Sequence, residues 1–231
     1  MTEPRTQLIV SMTTWEKRVD QAHLTVQSIL DQTRQPDLVE INLSYENFPQ
    51  GILDIPDSLK KIAAEHKNVE LHFYPTDLHC WLKCLPTWRR HKGEAFIDIT
   101  VDDDYTYPSD YVEKTVKAMV GHDWGCTQHE KYTMGQFMVY RSSLTDKIVD
   151  KFTDKLVLDC PLDDHGIFWA IQGVANSRCG TIDSVPLCRG TGWSFRRNYY
   201  PDQDASKMSQ GEYPFEAFVR ERKILHEHGI G

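Results

Sequence analysis

The stretch Ala95-Phe96-Ile97-Asp98-Ile99-Thr100-Val101-Asp102-Asp103-Asp104 is an apolar, largely β-branched run that stops at three carboxylates. Residues of this type favour a strand. Period-two alternation then assigns Ile97, Ile99, Val101 and Asp103 to one face and Asp102 and Asp104 to the other. Two acids converge at a strand end in this reading. Hard oxygen donors suit Mg²⁺ or Mn²⁺ better than zinc, and such ions keep waters and complete their shells with substrate phosphates. A nucleoside diphosphate is the partner this chemistry predicts. The plain alternative is an acidic strand-to-loop transition with no ligand.

Upstream of this run, strand-like and helix-like segments alternate. Residues 7–12 read as a buried strand, and residues 20–33 carry Ala22, Val26, Ile29 and Leu30 at helical spacing. Asp37 to Ser44 predicts a second strand, Pro56 to His66 a helix, and Val69 to Tyr74 a third strand. Cys80 to His91 reads as a helix interrupted near Pro86. Repeated β-α units imply an α/β fold with a mostly parallel sheet flanked by helices, and such sheets collect ligands beyond the C-terminal strand ends. Thr13, Thr14, Trp15 and Arg18 follow the first strand and face the same crevice as the acids if the two strands are neighbours.

Past Pro108, residues 109–120 predict a helix capped by Ser109 or Asp110, and residues 124–140 read as extended. Helices are expected over 143–153, over 163–174 opening on Asp163-Asp164-His165, and over 214–228. Residues 190–213 lack periodicity and mix Trp193, Phe195, Arg196, Arg197, Tyr199 and Tyr200. That mixture suits a loop closing over a ligand, and equally a partner or membrane-surface patch. No repeat or linker breaks the chain, so a single domain is expected.

The chain has 231 residues, a formal net charge of −8 and a pI near 5.7, which argues against a nucleic-acid binder. It carries no apolar stretch of about 18 residues and no signal-peptide layout, so a cytoplasmic location is the expectation. Six cysteines without paired C-x-x-C spacing suggest reduced thiols rather than a zinc cluster or disulfide framework.

Several segments together resemble the small bacterial glycosyltransferases of GT-A fold that take part in surface-polysaccharide assembly. They are Ile9-Val10-Ser11-Met12-Thr13-Thr14 with Arg18, Ser28-Ile29-Leu30-Asp31-Gln32-Thr33 with Pro36-Asp37, Leu43-Ser44, and Phe48-Pro49. Further along come Leu82-Lys83-Cys84-Leu85-Pro86, Thr100-Val101-Asp102-Asp103-Asp104 with Tyr107-Pro108, and Asp163-Asp164. The resemblance implies a Rossmann-like nucleotide-binding sheet, a nucleoside-diphosphate sugar donor, a carbohydrate or lipid-linked glycan acceptor, and Mn²⁺ or Mg²⁺. It divides the chain into a donor-binding half, 1–108, and an acceptor-binding half with a C-terminal lid, 109–231. By the same resemblance Asp104 is the main metal ligand, with Asp102 or Asp103 on ribose or metal-bound water.

Cleaving a sugar-phosphate bond leaves a diphosphate whose developing charge a divalent ion and cationic side chains stabilise. Lys83 and Arg18 are the candidates; each also reads as a surface cation, and Thr13 and Thr14 also read as a strand end and helix cap. An inverting transferase needs a carboxylate to take the proton of the acceptor hydroxyl. Asp164 is the preferred base, with Asp163 as cap or acceptor ligand, although helix capping explains such a pair equally well. If configuration is retained, the pair positions substrate instead. His165 is a possible tuning group for the acids, and His226 or His228 offers either a late metal ligand or an exposed tail. Trp81, Trp88, Trp124 and Trp169 are assigned to packing. Two rival functions use similar parts: a sugar nucleotidyltransferase, which calls for a Gly-rich basic loop where Ser11-Met12-Thr13-Thr14-Trp15 stands, and a non-catalytic nucleotide- or carbohydrate-binding module.

Overall fold

The computed structural model describes residues 5–126, 138–160, 179–181, 220 and 223–230. Four parallel strands form one side of the sheet: β1 (Gln7–Thr13), β2 (Leu38–Ser44), β3 (Val69–Tyr74) and β4 (Phe96–Thr100). Among them lie helices α1 (Val19–Leu30), α2 (Asp57–Glu65) and α3 (Leu85–Arg90), with α4 (Tyr111–Ala118) following β4. Three shorter strands complete a seven-stranded sheet: β5 (Trp124–Cys126), β6 (Met138–Arg141) and β7 (Cys179–Thr181). The strand order is β3-β2-β1-β4-β6-β5-β7. Strand β6 runs antiparallel to both of its neighbours.

The central strands are apolar because both faces are covered. Leu8, Val10 and Met12 of β1, Val39, Ile41 and Leu43 of β2, and Ile97 and Ile99 of β4 share one core with the inward residues of α1, α2 and α4. On the opposite face, Ile9, Leu38 and Phe96 meet Trp81, Leu85, Trp88 and Phe152. Each fully buried Val, Leu or Ile contributes about 1.5–3 kcal/mol. Interleaved with this second face are the buried polar residues Ser11, Glu40, Asn42, Asp98 and Thr100. Three of them, Glu40, Asn42 and Asp98, hold helix α3.

At six residues α3 is far below the length at which an isolated helix holds in water, so tertiary contacts must fix it. Its Thr87 donates to Glu40 Oε2 at 2.5 Å, Arg90 to Glu40 Oε2 at 2.6 Å and Asn42 Oδ1 at 2.5 Å, and Trp88 to Asp98 Oδ2 at 2.8 Å. His91 meets the other Glu40 oxygen at 2.9 Å. These hydrogen bonds hold the Glu40 carboxyl down at about 2 against the opposing effect of burial, and the Glu40 contact holds the His91 imidazole up at about 9. Asp98, fully enclosed, is pushed up to about 7 by burial.

The expected helix at 80–91 is two pieces, a 3-10 turn over His79–Lys83 and α3 itself, parted at Cys84. Pro86 lies in the first turn of α3, where its missing N–H and fixed φ cost nothing, so it opens the helix rather than interrupting it. The extended stretch at 124–140 contributes β5 and β6 at its ends. The expected helix at 143–153 is α5 (Ser142–Ile148) followed by a 3-10 turn, Val149–Lys151. Sequence periodicity missed α6 (Asp154–Asp159), whose cap Thr153 accepts the Leu156 N–H at 3.3 Å. The predicted helix at 163–174, the loop at 190–213 and Trp169 lie outside the described residues.

Candidate functional site

The strand order reverses between β1 and β4, since β1 is followed on one side by β2 and on the other by β4. This is the switch point at which open α/β sheets bind ligands. Val101 bonds back to the Ser11 carbonyl at 3.0 Å, so the acidic triplet leaves the sheet directly beside the end of β1.

Strand β4 ends at Thr100, and alternation ends with it. Asp103 and Asp104, which a continued strand would send to opposite faces, share one guanidinium: Arg18 lies 2.8 Å from Asp103 Oδ1 and 3.3 Å from Asp104 Oδ2. Asp102 is instead gripped by the Lys83 ammonium. The face assignment drawn from the sequence is therefore corrected: backbone turning at 103–104, not pleat, sets where the acids point. Both cations singled out from sequence reach the acids, Arg18 from the turn after β1 and Lys83 from the last residue of the 3-10 turn.

Arg18 occupies the position before α1, with its N–H and that of Val19 bonded to the Trp15 carbonyl at 2.9 and 3.0 Å. Thr13 closes β1 and Thr14 is buried just beyond it, so neither caps the helix. Trp15 stays half-buried, with the Lys17 ammonium 4.8 Å from its ring centroid. Asp103 and Asp104 are almost wholly enclosed at 1% and 3% exposure. Burial lifts the Asp103 carboxyl to about 6 against the pull of Arg18 and Thr14, with Asp104 and Asp102 adding to the rise.

The loop that carries the acids is stitched to α1 by residues for which sequence reading assigned no role. Thr25 donates to the carbonyls of Asp103 and Tyr105 at 3.0 and 2.6 Å, and Ser28 accepts the Tyr107 N–H at 3.1 Å. Gln32 bonds the Pro108 carbonyl at 2.7 Å and receives the Val112 N–H at 2.9 Å. Tyr107 accepts the Asp102 N–H at 2.9 Å. One signal was available: Thr25 is a hydroxyl on the otherwise apolar stripe of Ala22, Val26 and Ile29, and a buried hydroxyl needs a partner.

Among the described residues, the three-donor group with ligand atoms within 4.8 Å of one another is Glu40, Glu70 and His72, not the triplet. Its Glu40 carboxylate is occupied by Arg90 and His91, and the His72 pKa is lowered by burial and, to a smaller extent, by Arg90. An ion there would meet two positive groups already in place, as it would beside Arg18 and Lys83 at the triplet. His226, Glu227 and His228 are exposed, His228 bonding the Ile224 carbonyl at 2.9 Å, and they join no three-donor group among the described residues. Asp163, Asp164, His165 and the aromatic-cationic residues Trp193 to Tyr200 lie outside the described residues. Cys80 is half-buried, and Cys84 and Cys160 are buried. No described helix is long and apolar enough to cross a membrane.

No protein-family profile and no curated protein matches the chain. Solved structures do. The mannosyltransferase PcManGT from Pyrobaculum calidifontis, solved with GDP-Man and Mn²⁺, superposes at a TM-score of 0.50 and 12% identity, over 97% of this chain and 81% of its own. TarS 1–349 from S. aureus follows at 0.47 and 11% over 97% and 82% of the two chains. The 4-diphosphocytidyl-2C-methyl-D-erythritolsynthase from Anaerococcus prevotii gives 0.47 and 11% over 67% and 83%. At such identities the likeness is one of fold: the chain has the GT-A-type, Rossmann-like α/β architecture.

Proposed function

We propose that this protein is a divalent-metal-dependent glycosyltransferase that moves a sugar from a nucleoside-diphosphate donor to a carbohydrate or lipid-linked glycan, in the assembly of a surface polysaccharide. The carrying observation is that at the switch point Arg18 meets Asp103 and Asp104 while Lys83 meets the adjacent Asp102. Three acids against two cations leave a formal charge of −1, which one divalent ion reverses to +1, a balance suited to receiving a diphosphate. The hard oxygens of Asp104 and Asp102 are the donors such an ion prefers. In this reading Mn²⁺ or Mg²⁺, when bound, supplies Lewis-acid stabilisation of the leaving diphosphate.

The chain's own groups do the remainder. Lys83 and Arg18 would offer their N–H donors to phosphate oxygens and stabilise charge as the sugar–phosphate bond breaks. Thr13, Thr14 and Asp103 line the nucleotide side. Asp164 takes the proton from the attacking acceptor hydroxyl, and Asp163 orients that acceptor. Residues 1–108 form the donor half and 109–231 the acceptor half of one domain. The protein works in the cytoplasm, peripherally at the membrane's inner face when the acceptor is lipid-linked. The turn after β1 lacks the Gly-rich basic loop that a nucleotidyltransferase would use.

The test is nucleotide release from UDP-, GDP-, CMP- and dTDP-sugars with Mn²⁺ or with chelator. Metal-dependent release from one donor supports the reading and identifies the donor. Metal-dependent binding with no release favours a binding module, and silence toward every donor removes the proposal.

A further inference from the structure

Strand β3 stands at one end of the strand order, and among the described residues no strand pairs its outer side. The Asn68 and Tyr74 carbonyls accept the Val39 and Tyr45 N–H groups at 2.7 and 2.9 Å, so the even-numbered residues of β3 turn their backbone groups to β2. Leu71 and Phe73 turn theirs outward. An edge of this kind is a template for a further strand, and proteins that must stay apart blunt it with lysine, proline or a bulge. The sequence of β3, Val-Glu-Leu-His-Phe-Tyr, has neither lysine nor proline, and its pairing with β2 runs without a bulge.

Exposed apolar surface gathers at the same edge. Tyr45 packs on Phe73 with ring centroids 5.3 Å apart, and a Cβ at Gly51 would lie 3.3 Å from the Tyr45 ring. Gly51 opens the 3-10 turn Gly51–Asp54, which carries Ile52 and Leu53. Tyr45, Ile52 and Leu53 are 48%, 47% and 73% exposed, three of the five exposed large apolar side chains among the described residues.

The sequence of this edge is complementary to itself. When β3 meets a second β3 antiparallel about a two-fold axis at Leu71, Glu70 lies opposite the partner's His72 and Val69 opposite the partner's Phe73, each pair occurring twice. The outward backbone groups then match as well. Leu71 exchanges both of its hydrogen bonds with the partner's Leu71, and Phe73 donates to the partner's Val69 carbonyl. The Val69 N–H is already bonded to the His66 carbonyl at 2.9 Å and needs no partner there. Slipping the register by two residues sets Glu70 against the partner's Glu70 in one direction and His72 against the partner's His72 in the other, so charge selects the register centred on Leu71.

We propose that β3 is the interface between two copies of this chain, which join their sheets edge to edge with Leu71 on the two-fold axis. A strand of another protein would satisfy the backbone equally well. Only a second copy brings the Glu70 and His72 pairing with it. Leu71 and Phe73 lie on the side of the sheet that packs against α1 and α2, so the apolar residues of one copy continue those of the other, with Tyr45 at the margin. The proposal is independent of the glycosyl-transfer reading.

The experiment is sedimentation equilibrium of the full 231-residue chain from about 1 to 100 µM, with wild type beside Glu70→Lys. The wild-type mass is expected to rise from 26.8 kDa toward twice that value. Glu70 is exposed, so Glu70→Lys keeps the fold, read as an unchanged unfolding midpoint, while two attractive contacts per dimer become repulsive and the dissociation constant rises about tenfold or more. Register is read separately by mild oxidation and a non-reducing gel. Opposed Leu71 Cα atoms lie about 5.5 Å apart in a hydrogen-bonded pair, within disulfide reach, so Leu71→Cys links the two copies above the wild-type background and Phe73→Cys does not. The proposal is overturned if wild type keeps the monomer mass across the range, if Glu70→Lys dimerises as tightly as wild type, or if Phe73→Cys links as readily as Leu71→Cys.

Discussion

Arg18 and Asp103 meet at 2.8 Å across the switch point of the sheet, one from the turn after β1 and the other from the loop after β4. The pair joins the two halves of the crevice, and the acid is the more enclosed partner, at 1% side-chain exposure against 23%. Replacing Arg18 by Met strands that carboxyl group without its counter-charge. The expected loss is about 3 kcal/mol of folding free energy, read from urea unfolding. A variant as stable as wild type would show the contact to be incidental.

Asp104→Asn keeps side-chain shape and removes one charge from the triplet. Metal-dependent nucleotide release should fall at least a hundredfold, about 2.7 kcal/mol of transition-state stabilisation, while circular dichroism and the unfolding midpoint stay near wild type. Full metal-dependent turnover would sink the proposed metal site.

Stability should fall at acid and alkaline pH for one shared reason. The Glu40 carboxyl, held at about 2 against a usual 4.5, stabilises the fold above 4.5 and loses that contribution as pH falls through 2. The His91 imidazole, held at about 9 against a usual 6.5, stabilises below 6.5 and loses its contribution as pH rises through 9. One contact produces both effects, so they are not summed. The alkaline loss is at most about 3 kcal/mol. His91→Gln should flatten the alkaline limb of a urea midpoint series taken from about pH 6 to pH 10.

Asp98 makes a separate contribution on the same limb. Its folded pKa near 7 lies above the usual 3.8, so it favours the fold below 3.8 and that contribution disappears as pH rises through 7. Asp98→Asn does not titrate and keeps an oxygen for the Trp88 N–H. It should match or exceed wild-type stability at about pH 8 and gain least at about pH 4, near the usual carboxylate value. A loss of more than about 2 kcal/mol at both values would count against a neutral role for this acid.

The four β-α units were legible because each central strand carries a run of apolar residues and α1, α2 and α4 carry a 3.6-residue stripe. Arg18 was singled out because it follows the first strand, and Lys83 because its segment matches a motif of the resemblance. Three things were not legible. The direction of β6 depends on which strand it joins, and no local pattern encodes that choice. The aim of each acid depends on how the chain turns after Thr100. Trp81 and Trp88 were rightly expected to pack, but their indole N–H groups bond Cys160 and Asp98, partners 79 and 10 residues away that periodicity cannot link.

The reversed strand β6 has an effect on how such a molecule diversifies. Thr100, Met138 and Cys126 stand in one row across the sheet, with Thr181 beside Cys126, so the segments 127–137 and 182 onward both attach at the edge where the acids emerge. A change in the length of either segment falls beyond the last paired residues of this row, so the pairings among β4, β6, β5 and β7 need not move with it.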